Sequence, residues 1–298
     1  MDNMKYIKEG TSDRIFDIAV NLIGFIVILL VLYPLIFVLS ASFSDPDLVL
    51  RGKVILLPKG ITIKPYLVVF ENQRIWRSYV NTIFYTTFGT IINITLTILA
   101  AYPLSRRDMP WRRFFALVII FTMYFNGGLI PTYLLVRDLK MDNTIWAILI
   151  PGAISTYNMI VARTYFESNI PHELYESAMI DGCNNIRMLY NIVLPLSKAI
   201  IAVLVVFYGV ARWNSYFDAL IYLRNEELFP LQIILRDILL LGQTEQMGSN
   251  EVGMGDKIKM AEAIKYSVIV VSSLPILMVY PFVQKYFVKG VMIGAVKG

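Results

Sequence analysis

Glu176, Ser177, Ala178, Asp181 and Gly182 form the first half of a spaced set that nine further residues connect to Ile192, Leu194 and Pro195. The pattern is Glu-x-Ala-x-x-x-Gly, nine residues, then Ile-x-Leu-Pro. Its chemistry is recognition rather than bond-making. The set lies in a polar stretch between two long apolar runs, where an ordered, signature-like segment implies a partner.

The local physics favours a compact docking element. Pro171 suits the first turn of a helix, where its missing N–H costs nothing, and Asn169 can cap just ahead of it. Leu174 and Ala178, with Tyr175 and Met179, recur at i, i+4 and make one apolar stripe. Gly182 can take the left-handed conformation that stops the helix. A second short helix follows, with Ile186, Leu189 and Tyr190 on one side, and Pro195 ends it. Two short helices at an angle make a convex knob that suits a groove on another protein. The competing reading is an amphipathic helix lying on a membrane surface.

A second group is Arg212, Asn214, Tyr216 and Asp218, at one end of an apolar run. A charge in a membrane is expensive, so Arg212 is expected to face a water-filled cavity or a partner. Arginine and aromatic rings can hold a sugar, or grip a uronate carboxylate with two hydrogen bonds. An Arg212–Asp218 link, or a contact with a partner subunit that shapes a gate, explains the same residues. Asn126, followed by Gly127 and Gly128, interrupts another apolar run. It either lines a pathway or lets helices pack closely. Asn93 reads as glue between helices, and Pro34, Pro103, Pro151 and Pro275 as kinks.

Composition sets the elements that must position these residues. The 298-residue chain is 57% hydrophobic and only 16% charged, against about 25% charged in an ordinary soluble domain. That deficit, with long uncharged runs, predicts an integral membrane protein. The net charge of +5 is spread over several loops, which implies no nucleic-acid surface. One cysteine, Cys183, and one histidine, His172, exclude an internal disulfide and a Cys/His metal cluster. No Gly-x-x-x-x-Gly-Lys-Ser/Thr occurs, so ATP phosphates cannot be cradled by that route.

Crossing the hydrocarbon takes about 20 apolar residues. Six stretches qualify, predicting spans at about 15–41, 79–104, 114–136, 143–164, 198–218 and 264–286, with the polar element at 168–196 between the fourth and fifth. The fold class is therefore all-α, six transmembrane helices in a single domain over 1–298. The first run is too long for a secretory signal and reads as an anchor that stays. Arg106, Arg107, Arg112 and Arg113 crowd one short loop, which the positive-inside rule makes cytoplasmic. Parity then puts both termini and the Glu176 element inside. Against this, the loop from Asp45 to Arg77 carries six basic residues yet falls outside. Pro58 and Gly60 in that loop predict a small folded turn or hairpin. The glycine-rich stretch 241–255 reads as a mobile outer loop.

With these features in hand, the chain resembles a carbohydrate-importer permease of the maltose-transporter type, one of two membrane subunits of a binding-protein-dependent ABC importer. The Glu176–Pro195 pattern, the Leu57-Pro58-Lys59-Gly60 loop, the Ala101–Arg106 junction, the Trp213-Asn214 pair and the ending from Tyr280 to Gly298 carry the resemblance. Phe125 to Pro131 and that ending resemble the branch taking up complex oligosaccharides, such as pectin- or alginate-derived fragments. Ser177 departs from the Ala usual in the family, a small change.

The resemblance implies a cytoplasmic coupling helix-turn-helix at which an ATPase docks, with Glu176 meeting a basic residue of its groove. It implies as partners a second homologous permease, two ATPase subunits, an extracytoplasmic solute-binding protein, a sugar or oligosaccharide, and membrane lipid. The chain itself holds no cofactor, since ATP and Mg belong to the ATPase, and is not an enzyme. Its place is the bacterial cytoplasmic (inner) membrane, multi-pass. The tail after Lys289 is expected to reach toward the ATPase dimer. An ion-driven carrier is the rival class, but carriers need embedded acids or histidines, and the spans hold only Asp17 and Asp218 near their ends. A membrane enzyme would need an embedded metal site or acid–base pair, for which the sequence offers no candidates.

Overall fold

The computed structural model describes residues 10–247 and 264–281. The tail after Lys289 and most of the 241–255 stretch lie outside the described residues, as does the end of the sixth expected span. All regular structure among the described residues is helical. Packing divides the chain into two units, residues 1–71 with 238–271, and residues 72–237 with 272–298.

In the first unit, α1 (Thr11–Ser42) is 32 residues long. Asp13 accepts the Gly10 N–H at 3.0 Å and secures its start. From Leu22 to Leu35 its side chains are apolar around the whole circumference and exposed. A helix of that kind needs an apolar surrounding. At about 1.5 Å per residue it is long enough to cross a membrane. Short helices α2 (Pro46–Leu50) and α3 (Lys64–Glu71) follow. The loop around them is tied to the end of α1: Ser40 Oγ donates to the Leu56 carbonyl at 2.6 Å, and Tyr66 to Ser42 Oγ at 2.7 Å. Gly60 sits at φ +64, where a Cβ would come 2.9 Å from the Asp45 side chain. The expected folded turn exists, but without strand pairing.

The second unit is built on α4 (Gln73–Ser105), which Asn72 caps through the Arg74 and Ile75 N–H groups. Around it lie α5 (Arg112–Tyr124), α6 (Leu129–Asp138), α7 (Trp146–Leu149), α8 (Thr156–Asn169), α9 (His172–Ile180), α10 (Asn185–Met188), α11 (Leu194–Leu196), α12 (Lys198–Trp213) and α13 (Phe217–Tyr222). Ile98, Ala101 and Tyr102 of α4 pack with Met159 and Phe166 of α8 and Leu204 and Tyr208 of α12 in one core. Inside it the Thr97 and Tyr208 hydroxyls stand 2.7 Å apart, and Tyr208 also accepts the Ser155 N–H at 3.1 Å. A further helix, α14 (Leu231–Met247), leads out of the unit, and α15 (Ile264–Pro281) returns to it.

Only α1, α4 and α15 are single helices long and apolar enough to cross a membrane among the described residues. Three of the expected spans are broken. The run 114–136 is α5 and α6, bent by 111°. Gly128, at φ +83, and Asn126 Oδ1, which accepts the Gly128 N–H at 3.0 Å, make the corner. The run 143–164 is α7, a turn at Pro151–Gly152, and part of α8. The run 198–218 is α12, a break at Asn214–Tyr216, and α13.

The broken segments still connect opposite ends of the unit. At one end, Arg74 and Arg77 pair with Glu226 and Glu227 at 3.2 and 3.1 Å, and Arg224 pairs with Asp142 at 3.5 Å. At the other, Arg106 meets α9 and α10. The chain runs between these ends in α4, α5–α6, α7–α8 and α12–α13. Two of the basic residues that opposed the orientation rule are thus neutralised by Glu226 and Glu227.

Candidate functional site

The 172–196 element is a helix–turn–helix whose shape follows from its own sequence. Pro171 is the residue before α9 rather than its first turn. Asn169 does not cap it but donates back to the Tyr165 carbonyl at 3.1 Å. The helix stops as its glycine requires. Gly182 has φ +72, its N–H bonds the Met179 carbonyl at 3.0 Å, and the Cys183 N–H bonds the Ala178 carbonyl at 2.9 Å. This is the paired closure of a Schellman turn. Asn184 then caps α10 by accepting the Arg187 N–H at 2.8 Å.

Between α10 and α11 the backbone widens into a π turn, Leu189–Val193. Pro195 accounts for it: lacking an N–H and crowding the carbonyl four residues back, it fits a widened turn better than a tight one. Pro195 lies inside α11 and does not end the segment. The end comes at Ser197, where the chain bends by 83° into α12.

The buried side of the element is Tyr175 and Ala178 of α9 with Met188, Leu189 and Val193. This corrects the expected stripes. Leu174 and Met179 are exposed, and Ile186 and Tyr190 face away from Leu189. Ile180 and Ile186 are 86% and 70% exposed. The knob therefore carries an outward apolar surface beside Glu176, while Ile192 and Leu194 pack partly against the core. Glu176 Oε1 lies 3.0 Å from His172 Nδ1 on the same helix. Ser177 donates to the Leu174 carbonyl at 3.2 Å, so its hydroxyl is satisfied locally. Asp181 is the exposed C-cap of α9.

Arg106 is the residue that sequence reasoning missed here. It read only as one of four loop arginines. It is 93% buried, the complement of its 7% exposure, and grips Asp108 with two bonds of 2.8 and 2.7 Å. Its guanidinium also lies 4.6 Å from the Tyr175 ring centre and 2.9 Å from Met188 Sδ. The signal was available: Arg106 follows the buried Tyr102 by four residues, so it continues the inward face of α4. The Arg106 bond holds the Asp108 carboxyl below the usual carboxylate range. Burial pushes the Tyr175 hydroxyl up to about 12, so it stays protonated.

The second predicted group is dispersed. Arg212 extends from α12 across Gly89 of α4, where an added Cβ would lie 3.1 Å from its Nε. It donates to the Ile148 and Leu149 carbonyls at the end of α7, the latter at 3.1 Å, and to Asn93 Oδ1 at 3.0 Å. No ion pair joins it to Asp218, which is half-buried on α13. Asn214 turns back to the Val210 carbonyl at 2.9 Å, and Tyr216 is exposed beside Phe217. Asn126 is exposed in the α5–α6 corner, with no link to this group among the described residues. Asn93 makes the bond between helices that its sequence position implied.

Residues 93–293 match the family model described as binding-protein-dependent transport system inner membrane component. The chain is 40% identical to the polygalacturonan/rhamnogalacturonan transport system permease protein YtcP of Bacillus subtilis, over 96% of this chain and 100% of that one. It is 38% identical to protein LplC of the same organism, over 96% of each. Among solved structures it resembles a chain of a bacterial ABC transporter involved in import of the acidic polysaccharide alginate. There the TM-score is 0.85 at 38% identity, covering 94% of this chain and 99% of that one. With its helical, membrane-type segments and this match over most of its length, the chain belongs to the inner-membrane component family of binding-protein-dependent transport systems.

Proposed function

We propose that the chain is the permease subunit of an ATP-driven importer for a sugar or oligosaccharide. An extracytoplasmic binding protein delivers the substrate, a second permease completes the pathway, and two separate ATPase subunits supply the energy. One ATPase docks on the Glu176–Gly182 element. The observation that carries this reading is the knob itself: a locally closed helix–turn–helix with apolar residues turned outward, seated on the end of α4, in a chain of this family. ATP and Mg belong to the ATPase, and this chain is a transport component rather than an enzyme.

Membrane crossing in six passes, with both termini and the Arg106 end in the cytoplasm, is part of the same proposal. It is supported by the arginine-rich loop at one end and by the four end-to-end passes of the second unit. So is the unity of residues 1–298 as one transmembrane domain. The substrate class is an acidic oligosaccharide, because two of the similar proteins named above are described as a polygalacturonan/rhamnogalacturonan transport permease and as part of an importer of the acidic polysaccharide alginate.

The test is co-purification followed by stimulated turnover. The assembled importer should hydrolyse ATP faster when its binding protein carries uronate oligosaccharides than when the binding protein is empty. Equal stimulation by neutral oligosaccharides would overturn the substrate class. Absence of any co-purifying ATPase would overturn the function.

A further inference from the structure

Beside the knob is a cleft of about 360 Å³, lined by the loop from Ser105 to Arg112 and by the junction of α8 and α9. Its charges do not balance. Arg106 is neutralised by Asp108. Arg112 and Arg163 share one carboxylate, Glu167, at 3.2 and 3.0 Å. Arg107 lines the cleft, is exposed, and has no hydrogen bond or ion pair among the described residues. Among the residues that line the cleft, Arg106, Arg107 and Arg112 face Asp108 and Glu167, so one positive charge is left over, and Arg163 beside the cleft competes with Arg112 for Glu167. Tyr175 is on the cleft wall. Its buried hydroxyl has no hydrogen bond of good geometry among the described residues, although Ser105 stands beside it. The Ser105 hydroxyl is given to the Tyr102 carbonyl at 2.7 Å.

The mouth of the cleft lies at a polar–apolar boundary. Trp111, 77% exposed and held at φ +58, follows the arginine loop. The exposed face of α5 then begins with Phe114, Phe115, Leu117 and Val118. Aromatic residues beside basic ones mark the headgroup level of a bilayer. Basic pockets on the cytoplasmic side of membrane helices fit anionic headgroups.

We propose that this cleft binds the phosphodiester headgroup of an anionic phospholipid of the inner leaflet, with Arg107 and Arg112 on the phosphate and the acyl chains along α5. The site adjoins the Arg106–Tyr175 contact, so an occupied cleft braces the root of the knob. The inference rests on the proposed function only in taking the Arg106 end as cytoplasmic.

The test uses the assembled importer in nanodiscs of mixed phosphatidylglycerol and phosphatidylcholine, released for native mass spectrometry. Wild type should retain phosphatidylglycerol in preference to phosphatidylcholine. Arg107→Gln should lower that retention about fivefold, and the Arg107→Gln/Arg112→Gln pair about 25-fold. Arg107→Lys should stay near wild type, as should Arg137→Gln at the opposite end. Equal retention of the two lipids by wild type, a comparison that needs no variant, overturns the proposal. So does a double variant that assembles and keeps phosphatidylglycerol. Binding of inorganic phosphate that displaces phosphatidylglycerol makes the ligand a free anion and overturns the lipid. ATPase subunits are counted in the same spectra, so failure of docking and failure of lipid binding are read separately.

Discussion

The Arg106 guanidinium lies 4.6 Å from the centre of the Tyr175 ring, and so joins the last turn of α4 to the first helix of the knob. The same side chain is fixed by two bonds to Asp108. A push on α9 therefore meets a charged, buried contact rather than a slack loop. Arg106→Met should leave the chain inserted but loosen the knob. The lost contacts amount to on the order of 2 kcal/mol, or roughly 30-fold faster local opening. Hydrogen exchange across residues 172–188 reads that opening. Arg106→Lys should recover only part of it, because a lysine cannot make the two-bond grip. Unchanged exchange in Arg106→Met would remove Arg106 from the coupling route.

The same contact has a pH window. Asp108 is depressed by Arg106, so its contribution is complete above the ordinary carboxylate value and is lost only as pH falls through the lowered one. Tyr175 is raised to about 12. Its contribution is complete below the ordinary phenol value and fades as pH climbs above it. Between about pH 5 and about pH 9 neither group titrates. Exchange at 172–188, corrected for its intrinsic pH dependence, should be flat over that range if this contact governs it.

Arg212 ties three helices through Ile148, Leu149 and Asn93. Arg212→Met orphans two carbonyls and an amide, at roughly 1–3 kcal/mol for each group left without a partner. The assembled complex should melt lower and yield less protein. Gly89→Leu should produce the same defect by displacing the guanidinium. Arg212→Met combined with Asn93→Leu should cost less than the sum of the two, because they share one bond. A variant with normal melting and altered sugar preference would instead assign Arg212 to the pathway.

The knob was legible because it is local. Gly182 stands at the offset that stops α9, whereas the asparagine cap is Asn184 on the second helix rather than Asn169 on the first, and Pro195 widens the coil rather than ending it. The break in 114–136 was half legible. Asn126, Gly127 and Gly128 marked the interruption, but apolar length alone read it as one span. The break after α7 was marked only by Pro151, which read as a kink, and the break after α12 was hidden, because a membrane-length apolar run has the same composition whether straight or cornered. Arg106 was passed over because Tyr175 and Met188 lie far along the chain, although Asp108 is only two residues away. Arg212 uses backbone carbonyls, which carry no sequence mark at all.

The layout predicts opposite labelling of two exposed sites in the second unit. In a Cys183→Ser background, Leu139→Cys at the Arg224 end should react with an impermeant thiol reagent added outside intact cells. Asp181→Cys, on the knob, should react only after permeabilisation. The reverse pattern would move the knob outside and end the docking argument.

Glu176 and Gly182 test the central claim from two directions. At Gly182 nothing lies within 4 Å of an added Cβ, and φ is +72. Within this chain a substitution there acts through the backbone alone. Gly182→Leu should strain the closure by roughly 1 kcal/mol or more, and Gly182→Asn by less, since asparagine tolerates that conformation. Glu176 is exposed, with His172 as its partner on the helix. Glu176→Lys reverses the charge that a basic groove would meet. If the pair is partly buried on docking, its loss costs several kcal/mol, on the order of 3 or more. Neither change touches a membrane segment, so both variants should insert at normal levels. Glu176→Lys should lose co-purifying ATPase. Gly182→Leu should keep more of it yet lose the response of ATP hydrolysis to loaded binding protein, with Gly182→Asn between it and wild type. If Glu176→Lys and Gly182→Leu both assemble, respond and transport as wild type does, the 172–196 element is not where the ATPase drives this chain.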